Sequence, residues 1–200
     1  STCLVGSEMC IRDSIYRGRE LTSLNIDQVS ADYIGMLSTI MNGIALSNFL
    51  SSNNCENSLF SSFAIGNFVK AYSKEEAEKS LVEDKIVILV GGLGNPLFTT
   101  DSTASVRAVE LNSDVMLKAT NVDGVYSDDP KVNKEAIKYE HLSFDEAITK
   151  NLKVMDQTSL CFCRDNNLSV RVFNADTEGA ILEAIINENT DIGTLVELEK

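Results

Sequence analysis

The chain has 200 residues, which is enough for one domain of ordinary size with a buried core. Its apolar fraction of 44% is typical of a globular protein, and its net charge of -13 disfavours non-specific binding to nucleic acid or to an anionic membrane. No uninterrupted run of about 18 apolar residues and no secretion signal is recognised, so we predict neither a membrane span nor export.

The first 14 residues are unlike the rest. Residues 3–14 resemble the in-frame translation of an adapter used in transposon-based sequencing libraries. A segment of that origin has not been selected to fold. We therefore expect residues 1–14 to be an artefactual segment, joined to a domain, residues 15–200, that has lost its N-terminal part.

A helix is predicted over residues 30–50, where Ile34, Leu37, Ile40, Met41 and Ile44 recur at helical spacing. Small residues occupy its other faces, so we expect it to be buried nearly all round, against a sheet or a partner subunit. The polar residues 51–57 end this helix, and residues 58–69 are predicted to form a short strand and a loop.

The centre of the chain alternates helix and strand signals. Ser73 and Glu76 form a capping box for a helix that ends near residue 83. Residues 85–90 are continuously apolar, as in a central strand that is covered on both faces. After a glycine turn at residues 91–94, Thr99 or Thr100 is predicted to cap a helix through about Val109.

The second half repeats this alternation, which predicts an α/β/α sandwich with a mainly parallel central sheet. The elements predicted are a strand at 114–119, turns at 121–124 and 128–130, a helix at 143–151 opened by Ser143, a helix at 157–164 capped by Asp156 and ended by Asn166 and Asn167, a strand at 168–173, a last helix capped by Asp176 or Thr177, and a strand at 193–196.

The strongest functional signal is the strand, glycine turn and hydroxyl-rich helix start of residues 85–101. Bare amide groups and a helix dipole in that order predict a phosphate site. The turn is not a Walker A loop and matches only half of a dinucleotide fingerprint. Without a nucleophile elbow a Ser-His-Asp hydrolase is disfavoured, and His141, in a loop-like stretch, is not a catalytic candidate.

Aspartates stand at the predicted ends of strands and starts of helices. In a parallel α/β sheet such positions converge on one crevice, where carboxylates and substrate phosphates together suit Mg²⁺. A helix cap or a turn is the structural alternative for each residue. The five are Asp32, Asp101, Asp123, Asp129 and Asp156.

Several segments resemble, in order, the bacterial UMP kinases (uridylate kinases) of the amino-acid-kinase fold family. They are ADYIGMLSTIMNG at 31–43, GNPLFTTD at 94–101, LKATNVDGVY at 117–126 with Asp129 and Pro130, LKVMD at 152–156, CRDNNL at 163–168, RVFN at 171–174 and GTLV at 193–196. The resemblance covers about residues 15–196.

This resemblance implies transfer of the ATP γ-phosphate to UMP, with Mg²⁺, in a cytoplasmic homohexamer that nucleotide effectors regulate. It assigns Asp101 and Asp156 to catalysis, as the carboxylates that order Mg²⁺ and the reacting phosphates. It assigns no dedicated metal ligands. The implied UMP residues are Asp32, which holds the ribose, and Leu93, Gly94, Asn95, Pro96, Leu97, Phe98, Thr99 and Thr100. The implied ATP residues are Arg17, Thr120, Asn121, Tyr126 and Asp129.

Departures from the family pattern leave alternatives open. The family's N-terminal lysine loop and a glycine turn before residue 15 are absent, Tyr33 replaces a usual histidine and Leu93 a usual threonine. Because a lost charge-stabilising group can cost about 10² in turnover, we expect the chain as written to be inactive and poorly stable. The alternatives are a non-catalytic regulatory or oligomer-forming member of the fold, and an amino-acid or carbamate kinase.

Overall fold

The computed structural model describes residues 3–5, 26–130, 132–187 and 191–199. The chain forms two compact units, Ser1–Leu111 and Asn112–Lys200. Each unit contains one four-stranded sheet with helices. All pairings between named strands are parallel except one, so the predicted mainly parallel α/β class is confirmed.

The sheet of the first unit has the strand order β1-β4-β2-β3. Its strands are β1 (Cys3–Val5), β2 (Asn57–Ser61), β3 (Lys70–Ala71) and β4 (Ile86–Val90). The prediction of a central strand at residues 85–90 is confirmed, because β4 pairs with β1 on one side and β2 on the other. The backbone of β1 lies within the adapter-like segment, whose origin stays a prediction.

In the described part of this unit, three helices flank the sheet: α1 (Gln28–Ser52), α2 (Lys74–Val82) and α3 (Thr100–Glu110). Side chains of β4 alternate between its two faces, as strand geometry requires. Val87 and Leu89 pack with Ala77 of α2, whereas Ile88 and Val90 pack with Ile40 of α1. The predicted caps are confirmed: the Ser73 hydroxyl accepts the amide hydrogen of Glu76, and Thr99 is the N-cap of α3.

In the single chain α1 is covered on one face by the sheet and not on its other faces, so the prediction that a sheet or a partner subunit covers it nearly all round is met only for the sheet, and its cover by a partner stays a prediction. One face packs on β2 and β4, and a Cβ at Gly43 would lie 2.6 Å from Val90 Cγ1. On another face Tyr33, Leu37 and Met41 recur every four residues, and Phe49 is exposed nearer the end of the helix; 45–65% of each side chain is exposed. Periodicity finds apolar positions but does not show which of them the rest of the chain covers.

By length and composition α1 could also cross a membrane, with a mean hydropathy of 1.2 over its most apolar window. That is weak evidence, because the core helix of a globular protein passes the same test. The close approach of Gly43 to the sheet is what a core helix requires.

The sheet of the second unit has the order β5-β7-β8-β6, in which β7 and β8 are antiparallel. Its strands are β5 (Val115–Thr120), β6 (His141–Ser143), β7 (Ser169–Asn174) and β8 (Thr194–Glu197), and its helices are α4 (Phe144–Thr149), α5 (Gln157–Asp165) and α6 (Ala180–Ile186). Ser143 and Asp156 cap α4 and α5 as predicted, and Asn167 ends α5 with a φ of 55°.

Two local predictions in this unit are wrong. Helix α6 begins after Gly179, whose φ is 79°, and not at Asp176 or Thr177. The Ala180 amide donates to the Thr177 carbonyl, so residues 177–180 form a turn before the helix starts. His141 lies in strand β6 and not in a loop, because β6 pairs with β8, a partner distant in the sequence.

Candidate functional site

The glycine turn follows β4 directly and has a backbone that only glycine adopts readily. Gly91, Gly92 and Gly94 have φ values of 78°, 61° and 79°. A Cβ on Gly91 would lie 2.6 Å from the Ser61 Oγ, so there is also no room for a side chain. The Gly94 amide donates to the Gly91 carbonyl at 3.2 Å, which closes the turn.

Two hydroxyl groups that the sequence analysis did not identify hold this turn. The Thr39 Oγ1 in α1 accepts a hydrogen bond from the Gly91 amide at 2.9 Å. The Ser62 Oγ donates to the Gly92 carbonyl oxygen. A signal existed for each residue: Thr39 interrupts an apolar helix face, and Ser62 follows a strand parallel to β4, so both strands end at one edge.

The turn leaves amide groups available for an anion. Among the described residues no acceptor bonds the amides of Leu93, Asn95 or Phe98. Leu97 and Phe98 are exposed, so the segment is open to solvent. Helix α3 then begins at Thr100 and directs its positive end toward the same segment. This arrangement can bind a phosphate group.

Asp32 of α1 reaches the same segment, as the resemblance implied. Its Oδ2 accepts a hydrogen bond from the Leu97 amide at 2.8 Å, and its Oδ1 accepts one from the Gln28 Nε2 at 2.7 Å. Leu97 has a φ of 70°, which is unfavourable for a leucine, and the bond to Asp32 helps to keep it there. Asp32 is therefore beside the loop, and its role toward a ribose stays a prediction.

The hydroxyls at the start of α3 have different surroundings. The Thr99 Oγ1 accepts the amide hydrogen of Ser102 at 3.1 Å, so Thr99 serves as the helix cap. Thr100 is the first residue of the helix, and Asp101 lies in its first turn. Whether these three side chains touch a nucleotide stays a prediction.

Apart from Arg17, the residues that the resemblance assigns to ATP lie in the second unit, at the end of β5 and in the loop after it. The Thr120 Oγ1 accepts the amide hydrogen of Val122 at 3.0 Å. The Tyr126 hydroxyl donates to the Asp123 carboxylate at 2.9 Å, and this bond raises the pKa of Tyr126. Asn121 is exposed.

Two backbone contacts fix the same loop. The Asp129 carbonyl accepts the Asn133 amide at 2.8 Å. The Val125 amide donates to the buried Thr194 hydroxyl at 2.8 Å. The loop is therefore held at these two points, while Asn121 is exposed to solvent and Tyr126 is partly exposed.

Asp156 is the N-cap of α5, which is the structural alternative that the sequence analysis gave for it. Its Oδ1 accepts the Ser159 amide at 2.9 Å, and its Oδ2 accepts from the Ser159 hydroxyl. Asp101 belongs to the first unit and Asp156 to the second, so a shared catalytic role stays a prediction. Arg17 lies outside the described residues.

Metal ligands are not concentrated anywhere in the described part of the chain: it contains no group of three or more His, Cys, Asp or Glu side chains that could hold a metal ion. A Mg²⁺ ion that accompanies a nucleotide needs only one or two carboxylates, because substrate phosphates and water supply the other ligands. A single carboxylate such as that of Asp101 fits this requirement.

A cavity of about 670 Å³ in the first unit is separate from this loop. Its lining residues include Lys70, Lys79 and Lys85 but neither Asp32 nor any of residues 93–100. Lys70 pairs with Glu76 at 3.1 Å and Lys85 with Glu83 at 2.8 Å. Two of these three lysine side chains therefore already have a carboxylate partner. The glycine loop, and not this cavity, remains the candidate acceptor site.

Comparisons with known proteins show the family of this chain. The family model for the amino acid kinase family matches residues 7–174. The uridylate kinases of Alcanivorax borkumensis and Coxiella burnetii are 44% and 45% identical to this chain over 184 residues, which is 92% of the chain and 72% and 75% of those proteins. Among solved structures, the UMP kinase from Ureaplasma parvum has a TM-score of 0.87 at 40% identity, covering 92% of this chain and 78% of that one. The UMP kinase from Bacillus anthracis has a TM-score of 0.89 at 38% identity, covering 94% and 77%. The chain belongs to the amino acid kinase family, among its uridylate kinases.

Proposed function

We propose that this protein is a UMP kinase, which transfers the γ-phosphoryl group of ATP to UMP to give UDP and ADP. The observation that carries the proposal is the meeting of Asp32 with the glycine loop at Leu97, 65 positions away in sequence. The identity of 40–45% to uridylate kinases extends over the segments that form this site.

In this proposal the acceptor lies along residues 93–100. The amides of Leu93, Asn95 and Phe98 donate to its α-phosphate, and the positive end of α3 adds to their field. Asp32 binds the ribose hydroxyls, for which its carboxylate has acceptor capacity beyond its bonds to Leu97 and Gln28. Gly94, Pro96, Leu97, Thr99 and Thr100 complete the enclosing segment.

The donor nucleotide is assigned to Thr120, Asn121, Tyr126 and Asp129 of the second unit, together with Arg17. Asp101 and Asp156 are proposed to order the reacting phosphates. Mg²⁺, when bound, neutralises charge on the transferred phosphoryl group. The protein contributes mainly position and charge, because phosphoryl transfer needs no covalent intermediate on the enzyme.

We also propose that the protein forms a homo-oligomer through the exposed face of α1, in the cytoplasm, with nucleotide effectors. Tyr33, Leu37 and Met41 on that face form an apolar stripe of the kind that a second copy could cover. The hexameric state follows the family resemblance. Light scattering on the unaltered chain and on Met41→Glu measures the oligomeric state. If the unaltered chain is a monomer, the proposed oligomer is contradicted.

Two measurements test the proposed activity. Calorimetric titration with UMP, CMP and AMP should show that UMP binds in preference to CMP and AMP, as the proposed acceptor site requires. UMP-dependent release of ADP should then be measured with the chain as written, and with residues 1–14 replaced by the N-terminal segment of a uridylate kinase.

The outcomes separate the alternatives. Turnover in the replaced version supports the proposal, and background turnover in the original supports the expectation that residues 1–14 stand where catalytic residues belong. UMP binding without turnover in either version indicates the regulatory member of the fold. Phosphorylation of a carboxylate or carbamate, with no response to UMP, would refute the proposed substrate.

A further inference from the structure

Thr39 is a polar residue in an apolar setting. It lies on the face of α1 that packs on the sheet, only 4% of it is exposed, and its neighbour Ile40 belongs to the core. Its hydroxyl donates to the Met36 carbonyl at 2.8 Å and accepts from the Gly91 amide at 2.9 Å. Both functions of the hydroxyl are therefore used, one within the helix and one across 52 positions of sequence.

The bond to Met36 determines which way the hydroxyl points. A threonine in a helix has two accessible rotamers, because its Oγ1 can bond the carbonyl three or four residues earlier. With its hydrogen on Met36, the oxygen presents a lone pair toward the start of the glycine turn. Gly91 is buried there, and its amide would otherwise lack a partner, which is unfavourable.

Fixing Gly91 orients the peptides that follow it. The Gly91 carbonyl accepts from the Gly94 amide, and the Gly92 carbonyl accepts from the Ser62 hydroxyl. With these groups bound inside the protein, the amides of Leu93 and Asn95, which no acceptor among the described residues bonds, remain for a ligand.

We propose that Thr39 is a positioning residue of the acceptor site. Its buried hydroxyl sets the orientation of the Gly91 peptide, and through it the direction of the amides that receive the phosphate of the acceptor. This inference rests on the proposed function and adds to it a residue that does not itself touch the substrate.

The test compares Thr39→Val, Thr39→Ser and Thr194→Val. Valine retains the volume of threonine and removes the hydroxyl, whereas serine retains the hydroxyl. Thr194 is the matched control, because its buried hydroxyl also accepts an amide, that of Val125 at 2.8 Å, and donates to a carbonyl, that of Tyr139, but in the second unit. Thr39→Ala replaces the valine variant if that one does not fold, since alanine favours the helix.

The affinity for UMP is measured by calorimetry, and amide hydrogen exchange is followed at residues 91–95 without ligand. We expect Thr39→Val to weaken UMP binding about tenfold, since the unpaired Gly91 amide disfavours the binding-competent turn, and to speed exchange in the turn. The affinity of Thr39→Ser for UMP should stay within about twofold of that of the unaltered chain. Thr194→Val should lose about as much stability as Thr39→Val, but its affinity for UMP should be unchanged.

Each result decides the matter. Unchanged UMP affinity in Thr39→Val, or an equal loss in Thr194→Val, overturns the positioning role while the proposed function stands. A serine variant as weak as the valine variant also overturns it. Failure of the unaltered chain to bind UMP refutes the proposed function, and the inference with it.

Discussion

Replacing Gly91 by alanine tests the geometry on which the acceptor site depends. Gly91 has a φ of 78°, and the left-handed conformation costs an alanine about 1–2 kcal/mol. The new Cβ would also lie 2.6 Å from the Ser61 Oγ and 3.2 Å from the Ser62 amide nitrogen. Overpacking of this kind costs about 1–3 kcal/mol, so the free energy of unfolding should fall by about 2–5 kcal/mol in total.

Gly66→Ala is the control, because it separates the two contributions. Gly66 belongs to the same unit and has a φ of 52°, but a Cβ there would have Phe68 Cε1 as its nearest neighbour at 3.6 Å, an ordinary contact. Only the conformational cost of about 1–2 kcal/mol should therefore remain. Urea denaturation measures both free energies, and titration with UMP measures the effect on binding.

We expect Gly91→Ala to lose about 1–3 kcal/mol more unfolding free energy than Gly66→Ala and to bind UMP much more weakly. Removing the Ser61 hydroxyl in the double variant Gly91→Ala, Ser61→Ala should restore part of the loss, since the close contact at Ser61 disappears. Equal losses in the two single variants, or full UMP affinity in Gly91→Ala, would show that the turn is not as tightly enclosed as described.

Three further predictions concern single side chains. Asp32→Asn should weaken UMP binding by about tenfold or more, because it removes a charged acceptor that also bonds the Leu97 amide; unchanged calorimetric affinity would contradict this. Asp156→Ala should cost about 1 kcal/mol of unfolding free energy through loss of the helix cap, whereas Asp156→Asn should retain the cap and lose turnover alone in the version that carries the N-terminal segment of a uridylate kinase; unchanged turnover there would contradict the proposed catalytic role. Burial, and then the bond to Glu110, raise the pKa of Tyr72 from 10.0 to about 12, so its contribution to stability is complete below pH 10 and is lost as the pH rises to 12. Tyr72→Phe should lack that alkaline loss in denaturation curves measured between pH 9 and 12.

Much of the secondary structure could be predicted because its causes are local. The hydroxyl of Ser73 caps its helix by accepting an amide hydrogen from the first turn, and Thr99, Ser143 and Asp156 do the same for theirs. The apolar run of β4 is typical of a strand buried on both faces. Errors occurred where a local signal competed with another, as at residues 176–180, where a turn precedes the helix.

The candidate site could be predicted only in part. The glycine loop stands out in the sequence because a strand, three glycines and a hydroxyl-rich helix start follow one another. The roles of Thr39 and Ser62 do not, although Thr39 lies in the segment 31–43, since each residue bonds a partner at least 30 positions away. Family resemblance indicated Asp32, but its bond to the Leu97 amide became evident only in the folded chain.

The sequence by itself determined most of the helices and strands and most of their caps, and it predicted a phosphate site at residues 85–101, because periodicity, capping and the conformational freedom of glycine act over a few residues. Only the tertiary structure decided which face of α1 is covered, that β8 runs antiparallel to β7, and which side chains hold the glycine turn. These properties depend on contacts between segments distant in the chain, and a local pattern does not specify the partner of such a contact.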